Sequence, residues 1–173
     1  MSDLGIITRV RQEKDFEDFL KCLNKHKVRY CIVGAFAVIF HSRPRFTEDM
    51  DILIFPDLEN SKRTKKAMAE FGVDVSNLED EYFARSGNFY QIGVAPVMIH
   101  IINSLEGVSL SEVFKNKVKS RYGRTNTYYI GLDELIKNKK VAGRPQDKLD
   151  LEVLKKAKVK NRFMKIKTEI IKL

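Results

Sequence analysis

Residues 49–55, Asp-Met-Asp-Ile-Leu-Ile-Phe, constrain the fold more than any other stretch of this chain. The apolar run after the second acid is typical of a buried strand. On a strand, residues i and i+2 point to the same face, so Asp49 and Asp51 are expected to lie side by side. Two such carboxylates repel unless one binds a proton or a cation lies between them, and Mg²⁺ suits that position. The alternative is that Asp49 caps a turn and Asp51 lies at a solvent-exposed strand end.

The residues before this strand predict a turn that can bind phosphate. "VRYCIV" favours a strand, Gly34 interrupts it, and "AFAVIFHS" predicts a short buried helix that begins at Ala35. A glycine lets a phosphate approach the backbone, and a helix N-terminus presents free N–H groups. A basic turn with Arg43 and Arg45 then leads into the two acids. A phosphate-binding turn beside a metal-binding strand is what nucleotidyl or phosphoryl transfer needs.

The rest of the chain alternates between helix and strand patterns. The predicted helices are 10–27, 58–72 with Gly72 at its end, 77–85 with a weaker pattern, 110–114 after a capping box at Ser109, 132–140 and 146–158. The predicted strands form a hairpin (88–93 and 97–103) and a later pair (117–122 and 126–131). The tail, 162–173, is either a basic amphipathic helix or a frayed end. The fold class predicted is α+β, a mixed β-sheet flanked by helices with a helical basic C-terminus, in a single domain of residues 1–173 (core about 28–131, helical part about 132–173).

The net charge of +9 is concentrated at one end of the chain. Residues 137–173 hold thirteen Lys and Arg against four Asp and Glu, whereas residues 1–136 hold nineteen of each. This asymmetry favours an anionic partner, either a nucleic acid or a phosphorylated ligand. The alternative is a solvated, lysine-rich helix face.

Composition also bounds the compartment and the kinds of site. The sequence has no apolar run near the roughly 20 residues of a membrane helix, and its N-terminus is too charged for a signal peptide. Cys22 and Cys31 are too few for a disulfide framework, and three histidines without a Cys-x-x-Cys argue against structural zinc. We therefore expect a cytoplasmic protein without a membrane partner.

The segment "VGAFAVIFHSRPRFTEDMDILI" resembles the signature of the nucleotidyltransferase superfamily, which has the DNA polymerase β-like fold. The similarity is greatest to small prokaryotic members related to minimal and abortive-infection toxin nucleotidyltransferases. Their pattern is a strand, Gly followed by Gly or Ser, a helix, and Arg-x-Thr-x-Asp-φ-Asp, where φ is apolar; the matching residues are Gly34, Arg45, Thr47, Asp49 and Asp51. A later segment, "LIKNKKVAGRPQDKLDLEVL", matches a second family element at Lys139, Arg144, Asp147 and Asp150. The resemblance covers roughly residues 28–154.

The resemblance implies a role for each matching residue. Asp49 and Asp51 would bind Mg²⁺ or Mn²⁺, and Gly34 with the Ala35 N–H would hold the triphosphate of an NTP. Arg45 would support the acidic strand, and Thr47 belongs to the same nucleotide-binding set. Lys139 and Arg144 would lie near the nucleotide phosphates. The alternative for this last pair is a surface salt-bridge network with Asp147 and Asp150.

Two positions depart from the family pattern. Ala35 stands where relatives have Gly or Ser, and His100 stands where they have a third carboxylate, in the run "VMIHIINSLEGV". Imidazole is a weaker ligand for Mg²⁺ than carboxylate and suits softer ions better, but a neutral histidine can act as a general base. His100 is thus a candidate catalytic residue, and the alternative is a structural histidine.

Three functions follow from these patterns. The first is metal-dependent transfer of an NMP from an NTP to a hydroxyl of RNA, protein or a small molecule, with a toxin–antitoxin role and an antitoxin partner implied by the resemblance. The second is a catalytically impaired protein of the same fold that binds nucleotide, nucleic acid or a partner without turnover. The third is a structural protein in which Asp49 and Asp51 only pair with Arg43 or Arg45.

Overall fold

A six-stranded mixed sheet with the strand order β3-β4-β2-β1-β6-β5 forms the centre of the protein. The structure is a computed structural model that describes residues 3–171, with the side chains of residues 14–165. The strands are β1 (Tyr30–Val33), β2 (Asp49–Ile54), β3 (Phe89–Val94), β4 (Val97–Ile102), β5 (Val118–Tyr122) and β6 (Thr125–Tyr129). The helices are α1 (Asp3–Lys25), α2 (Gly34–His41), α3 (Leu58–Phe71), α4 (Leu110–Asn116), α5 (Leu132–Ala142) and α6 (Pro145–Ile171).

The sheet contains both parallel and antiparallel strand pairs, as expected for the mixed sheet that was predicted. β1 is antiparallel to β2 and parallel to β6, and β2 is parallel to β4. The predicted hairpin of β3 and β4 and the predicted pair of β5 and β6 are both antiparallel. The predicted fold class, a mixed sheet flanked by helices, is confirmed.

The hydrophobic core lies between the two central strands and the helices that cover them. Every residue of β1 is buried, and Ile52, Leu53 and Ile54 of β2 have no exposed surface. α1 covers them with a stripe of four apolar side chains at helical spacing, all fully buried: Phe16, Phe19, Leu20 and Leu23. The apolar periodicity of the sequence therefore identified the buried face of α1 correctly.

The predicted helix over 77–85 is wrong except for a short 3-10 turn, Tyr82–Ala84. Side chains form hydrogen bonds with backbone N–H and C=O groups that a longer helix would pair with one another. Asn103 donates to the carbonyls of Phe83 and Arg85 at 2.9 and 2.6 Å, and Ser61 Oγ accepts the Phe83 N–H at 3.0 Å. Such side-chain bonds compete with helix formation.

Predictions made for the ends of α4, α1 and α6 also differ from the structure in part. Ser109 precedes α4 as predicted, but its hydroxyl contacts Ser111 Oγ at 2.7 Å and makes no capping bond, so the capping box is wrong. α1 begins at Asp3 rather than at residue 10. α6 continues to Ile171, so the tail is helical as far as it is described, and residues 172 and 173 of that prediction lie outside the described residues.

Within residues 3–171, no helix has both the length and the apolar content that crossing a membrane requires.

Candidate metal and nucleotide site

Parallel pairing of β2 with β4 places Asp51 directly opposite His100. Asp49, two residues earlier, projects from the same face of β2, as the i and i+2 rule predicts. His100 Nδ1 lies 3.0 Å from Asp51 Oδ1 and 3.4 Å from Asp49 Oδ2. One donor atom from each of the three residues lies within 4.8 Å of the others, so together they could hold a metal ion. We call these three residues the acidic wall.

The acidic wall concentrates negative charge in a half-buried position. The pKa of Asp51 is raised because the carboxyl is buried and because the Asp49 carboxylate lies beside it. The hydrogen bond with His100 and the positive charge of Lys139 offset part of this rise. A divalent cation would relieve the repulsion that these groups cannot relieve by themselves, so the donor set fits a metal ion.

Gly34 is required because the Asp51 carboxylate packs directly against its backbone. A Cβ built on Gly34 would lie 2.0 Å from Asp51 Oδ2, and the φ of +61° is a left-handed conformation that favours glycine. Gly34 is the first residue of α2, whose start carries no side-chain cap within the described chain. The glycine therefore brings the uncapped N-terminus of α2 next to the acidic wall. Ala35, the next residue of α2, is buried.

Thr47 orients the first acid of the wall. Its hydroxyl donates to Asp49 Oδ1 at 2.8 Å, in the loop just before β2 begins. The motif threonine thus acts through Asp49, and the structure does not place it on the cavity surface.

Arg45 pairs with α6 rather than with the acidic strand. Its Nη2 lies 3.2 Å from Asp150 Oδ2, and its Nε is buried without a hydrogen-bond partner among the described residues. Within the described part of the chain, Asp49 and Asp51 form ion pairs with His100 and not with Arg43 or Arg45, so the pairing expected of a purely structural protein is wrong.

A second charged cluster, which we call the ion network, joins α5 to the start of α6. Lys139 Nζ lies 2.7 Å from Asp147 Oδ1 and 2.9 Å from Asp150 Oδ2, and Arg144 Nε lies 2.7 Å from Asp147 Oδ2. The salt bridges foreseen as the alternative for this segment are therefore present. They are not a surface network, because the Lys139 side chain is 6% exposed and each aspartate side chain is 2% exposed. Only Arg144 extends into solvent, at 75% exposure.

The acidic wall and the ion network face one cavity of about 790 Å³. This volume is within the range of small-molecule sites. Six of the nine residues predicted from the sequence line it, namely Gly34, Asp49, Asp51, His100, Lys139 and Arg144, whereas Ala35, Arg45 and Thr47 lie behind its surface. Sequence reasoning missed eight further lining residues: Val33, Phe89, Ile102, Ser104, Leu105, Glu106, Asn138 and Ala142.

Phe89 is the missed residue with the clearest chemical meaning. Its side chain is half exposed, and its ring centroid lies 5.0 Å from that of His100 at a tilt of 53°. The antiparallel register sets Gln91 opposite His100, so Phe89, two residues earlier on β3, shares that face of the hairpin. The hairpin of β3 and β4 was predicted from the sequence, but only the register of that hairpin shows that Phe89 lies on the same face as His100.

Among solved structures, the chain is similar to a protein from Thermotoga maritima that is provisionally assigned as a nucleotidyltransferase. The two share 16% sequence identity at a TM-score of 0.47, over 95% of this chain and 96% of that chain. The chain matches no protein-family model and no curated protein. A likeness at this level decides neither family nor activity, and the proposals below rest on the side chains of the cavity.

Proposed function

We propose that this protein is a metal-dependent nucleotidyltransferase that moves an NMP from an NTP to a hydroxyl acceptor and releases pyrophosphate. One observation carries the proposal: three possible metal ligands and two cationic side chains, Lys139 and Arg144, line a single cavity whose volume of about 790 Å³ suits a small molecule. The match of Gly34, Arg45, Thr47, Asp49 and Asp51 to the family signature supports the same reaction.

Asp49 and Asp51 hold the divalent cation, and Thr47 fixes the orientation of Asp49. When bound, such a cation neutralises phosphate charge and polarises the phosphorus that is attacked. Asp51 is held in place by its contact with the Gly34 backbone and by the His100 ring. These contacts preorganise the acids before the nucleotide arrives.

Lys139 and Arg144 bind the phosphate end of the nucleotide. An ammonium has three hydrogens, and Asp147 and Asp150 account for two of those on Lys139, which leaves one for the cavity that Lys139 lines. Arg144 uses Nε for Asp147, which leaves the outer nitrogens of its guanidinium for phosphate oxygens. The N–H groups at Gly34 and Ala35, where the helix start has no side-chain cap, add further donors.

The charge of α6 favours RNA as the acceptor. Its first turn anchors the ion network, and its exposed segment 155–165 carries six Lys and Arg and no acid. This basic segment extends roughly 15 Å along the helix, and its far end at Lys165 lies roughly 22 Å from Asp150, at 1.5 Å per residue. A polyanion lying along it would lead toward the cavity.

The transfer reaction is tested by incubating the protein with each α-labelled NTP, Mg²⁺ or Mn²⁺, total RNA and cell extract. We expect label on an RNA band with the wild type and with the surface control Glu81→Gln, and none with Asp51→Asn. Equal labelling by wild type and Asp51→Asn would exclude the proposed metal role. Label on a protein band alone would exclude RNA as the acceptor.

The role of the basic segment is tested separately, by fluorescence anisotropy of a labelled RNA oligonucleotide at several salt concentrations. Replacing Lys156 and Lys160 by Gln should weaken binding and reduce the salt slope by about one for each lost phosphate contact. The matched control replaces two exposed lysines of α3, Lys62 and Lys66. If both double variants bind alike, α6 is not the RNA surface.

The catalytically impaired alternative is favoured by His100 and Ala35, the two positions that depart from the family pattern. It predicts NTP binding without transfer under either metal. The toxin–antitoxin role, the antitoxin partner and the cytoplasmic location stay predictions.

A further inference from the structure

We infer that the acidic wall binds a first-row transition-metal dication, with Mn²⁺ as the working ion, in preference to Mg²⁺, and that His100 Nδ1 is its third protein ligand. The inference rests on the proposed function only in taking the acidic wall as a metal site. It concerns which ion the site selects, not whether a nucleotide is transferred.

The orientation of the His100 ring carries the first step. Nδ1 faces both carboxylates, at 3.0 Å from Asp51 Oδ1 and 3.4 Å from Asp49 Oδ2. An ion within bonding distance of both acids is thus also within reach of this nitrogen. The ring cannot easily turn away, because its side chain is only 17% exposed and the Phe89 ring packs against it.

The chemistry of the donor set carries the second step. Mg²⁺ demands a near-ideal octahedron of oxygen ligands and loses its water reluctantly, whereas imidazole suits transition metals. The two carboxylates suit Mn²⁺ as well as Mg²⁺, so the imidazole nitrogen is the ligand that favours the transition metal, and three protein ligands leave positions for triphosphate oxygens. Replacing the usual third carboxylate by His100 therefore changes which ion is preferred and leaves an ion site in place.

The orientation of His100 also decides between two roles for this residue, metal ligand and general base. A nitrogen lone pair that binds a metal cannot at the same time accept the proton of an attacking hydroxyl. Nδ1 is the nitrogen that faces the acids, so His100 serves as a ligand and not as the general base.

The test is isothermal titration calorimetry of Mg²⁺ and Mn²⁺ into metal-free wild type, His100→Asp and His26→Asn. His100→Asp supplies an all-carboxylate site, and His26→Asn removes a half-buried histidine of the Glu70 ion pair as the control. We expect wild type and His26→Asn to bind Mn²⁺ at least about tenfold tighter than Mg²⁺, and His100→Asp to reduce that ratio by about tenfold. The same Mn²⁺/Mg²⁺ ratio in wild type and His100→Asp would overturn the inference.

A second measurement on the wild type avoids any dependence on the variant's folding. Electron spin echo spectroscopy of the Mn²⁺-loaded protein should show modulation from a directly bound imidazole nitrogen. Mn²⁺ bound without a nitrogen signal would overturn the inference.

The two proposals fail in different ways. Preferred Mn²⁺ binding with no label transfer would exclude the proposed enzyme and leave the metal inference standing. Transfer of label together with an Mn²⁺/Mg²⁺ ratio that His100→Asp does not alter would exclude the metal inference and leave the enzyme standing.

Discussion

The acidic wall and the ion network face the same cavity, yet they handle buried charge in opposite ways. In the ion network, each carboxylate has cationic partners within 3.2 Å: Lys139 and Arg144 for Asp147, and Lys139 and Arg45 for Asp150. In the acidic wall, two carboxylates share one imidazole. The pKa of Asp147 is lowered: burial alone would raise it, but the hydrogen bonds from Arg144 and Lys139 outweigh burial. The pKa of Asp51 is raised.

This difference separates a structural role from a functional one. Charges that are paired within the protein fasten the start of α6 to α5 and to the loop before β2. Like charges that are left together make the fold less stable unless a cation from outside binds between them. The comparison predicts that variants of the two clusters change stability in opposite directions.

The largest effect is expected for Lys139→Met, which leaves two buried aspartates without their shared partner. Removing one member of a buried ion pair costs about 3–5 kcal/mol, or roughly 6–20 °C in melting temperature for a chain of this size. Calorimetry should show this fall, whereas the exposed neighbour Lys140→Met should melt within about 2 °C of the wild type. Equal melting of the two variants would mean that the ion network is not structural.

The next effect is expected for Gly34→Ala, because the new Cβ would collide with Asp51 Oδ2. Displacement of Asp51 should weaken Mn²⁺ binding at least about tenfold, and the left-handed backbone adds about 1 kcal/mol of strain. Gly87→Ala is the matched control, since Gly87 also has positive φ but nothing lies within 4 Å of its Cβ position. A Gly34→Ala protein with unaltered Mn²⁺ affinity would contradict the close packing of Gly34 and Asp51.

A smaller effect of opposite sign is expected for Asp51→Asn in metal-free protein at pH 7. Because the folded pKa of Asp51 is raised, ionisation destabilises the fold, and this cost grows as pH rises from about 3.9 through the folded value. Asp51→Asn should therefore melt about 2 °C above the wild type at pH 7 in EDTA, and the gain should vanish below pH ~4. If the increase in melting temperature of Asp51→Asn were largest at low pH, the folded pKa of Asp51 would not be raised as stated.

The smallest effect on stability is expected for Arg144→Gln, because the side chain is largely exposed. Its free energy of unfolding should change by less than about 1 kcal/mol, but binding of a fluorescent NTP analogue should weaken several-fold. Lys148→Gln, an exposed cation on the next turn of α6, is the control. If the two variants bind the analogue equally well, Arg144 is not a phosphate ligand.

The sequence predicted the parts of this site that depend on local geometry. The i and i+2 rule placed Asp49 and Asp51 on one face of β2, and apolar periodicity found the buried stripe of α1. Gly34 was predicted as a place where a phosphate approaches the backbone, and that role stays a prediction; the structure shows the Asp51 carboxylate packed against it.

The parts that depend on long-range register could not be derived from local residue patterns, and His100 was named only because the family resemblance implies a third ligand at its position. His100 meets Asp51 only because β2 and β4 pair in parallel with that offset, and neither strand's own pattern fixes the offset. The burial of Lys139 likewise depends on how α6 packs on α5, so the alternative reading of this segment placed its salt bridges on the surface. The short 3-10 turn at Tyr82 depends on Asn103, which is distant in sequence.

In this account, the acidic wall needs a bound cation to offset the repulsion between Asp49 and Asp51. The most direct test is to compare the melting of wild type and Asp51→Asn. Each protein is melted in EDTA and again with Mn²⁺ and a non-hydrolysable NTP. The account predicts that the order reverses: Asp51→Asn melts higher in EDTA, and the wild type melts higher with metal and nucleotide, because only the wild type binds them tightly. If the wild type melts higher in EDTA and gains nothing from Mn²⁺ and nucleotide, the two acids are structural and the account is wrong.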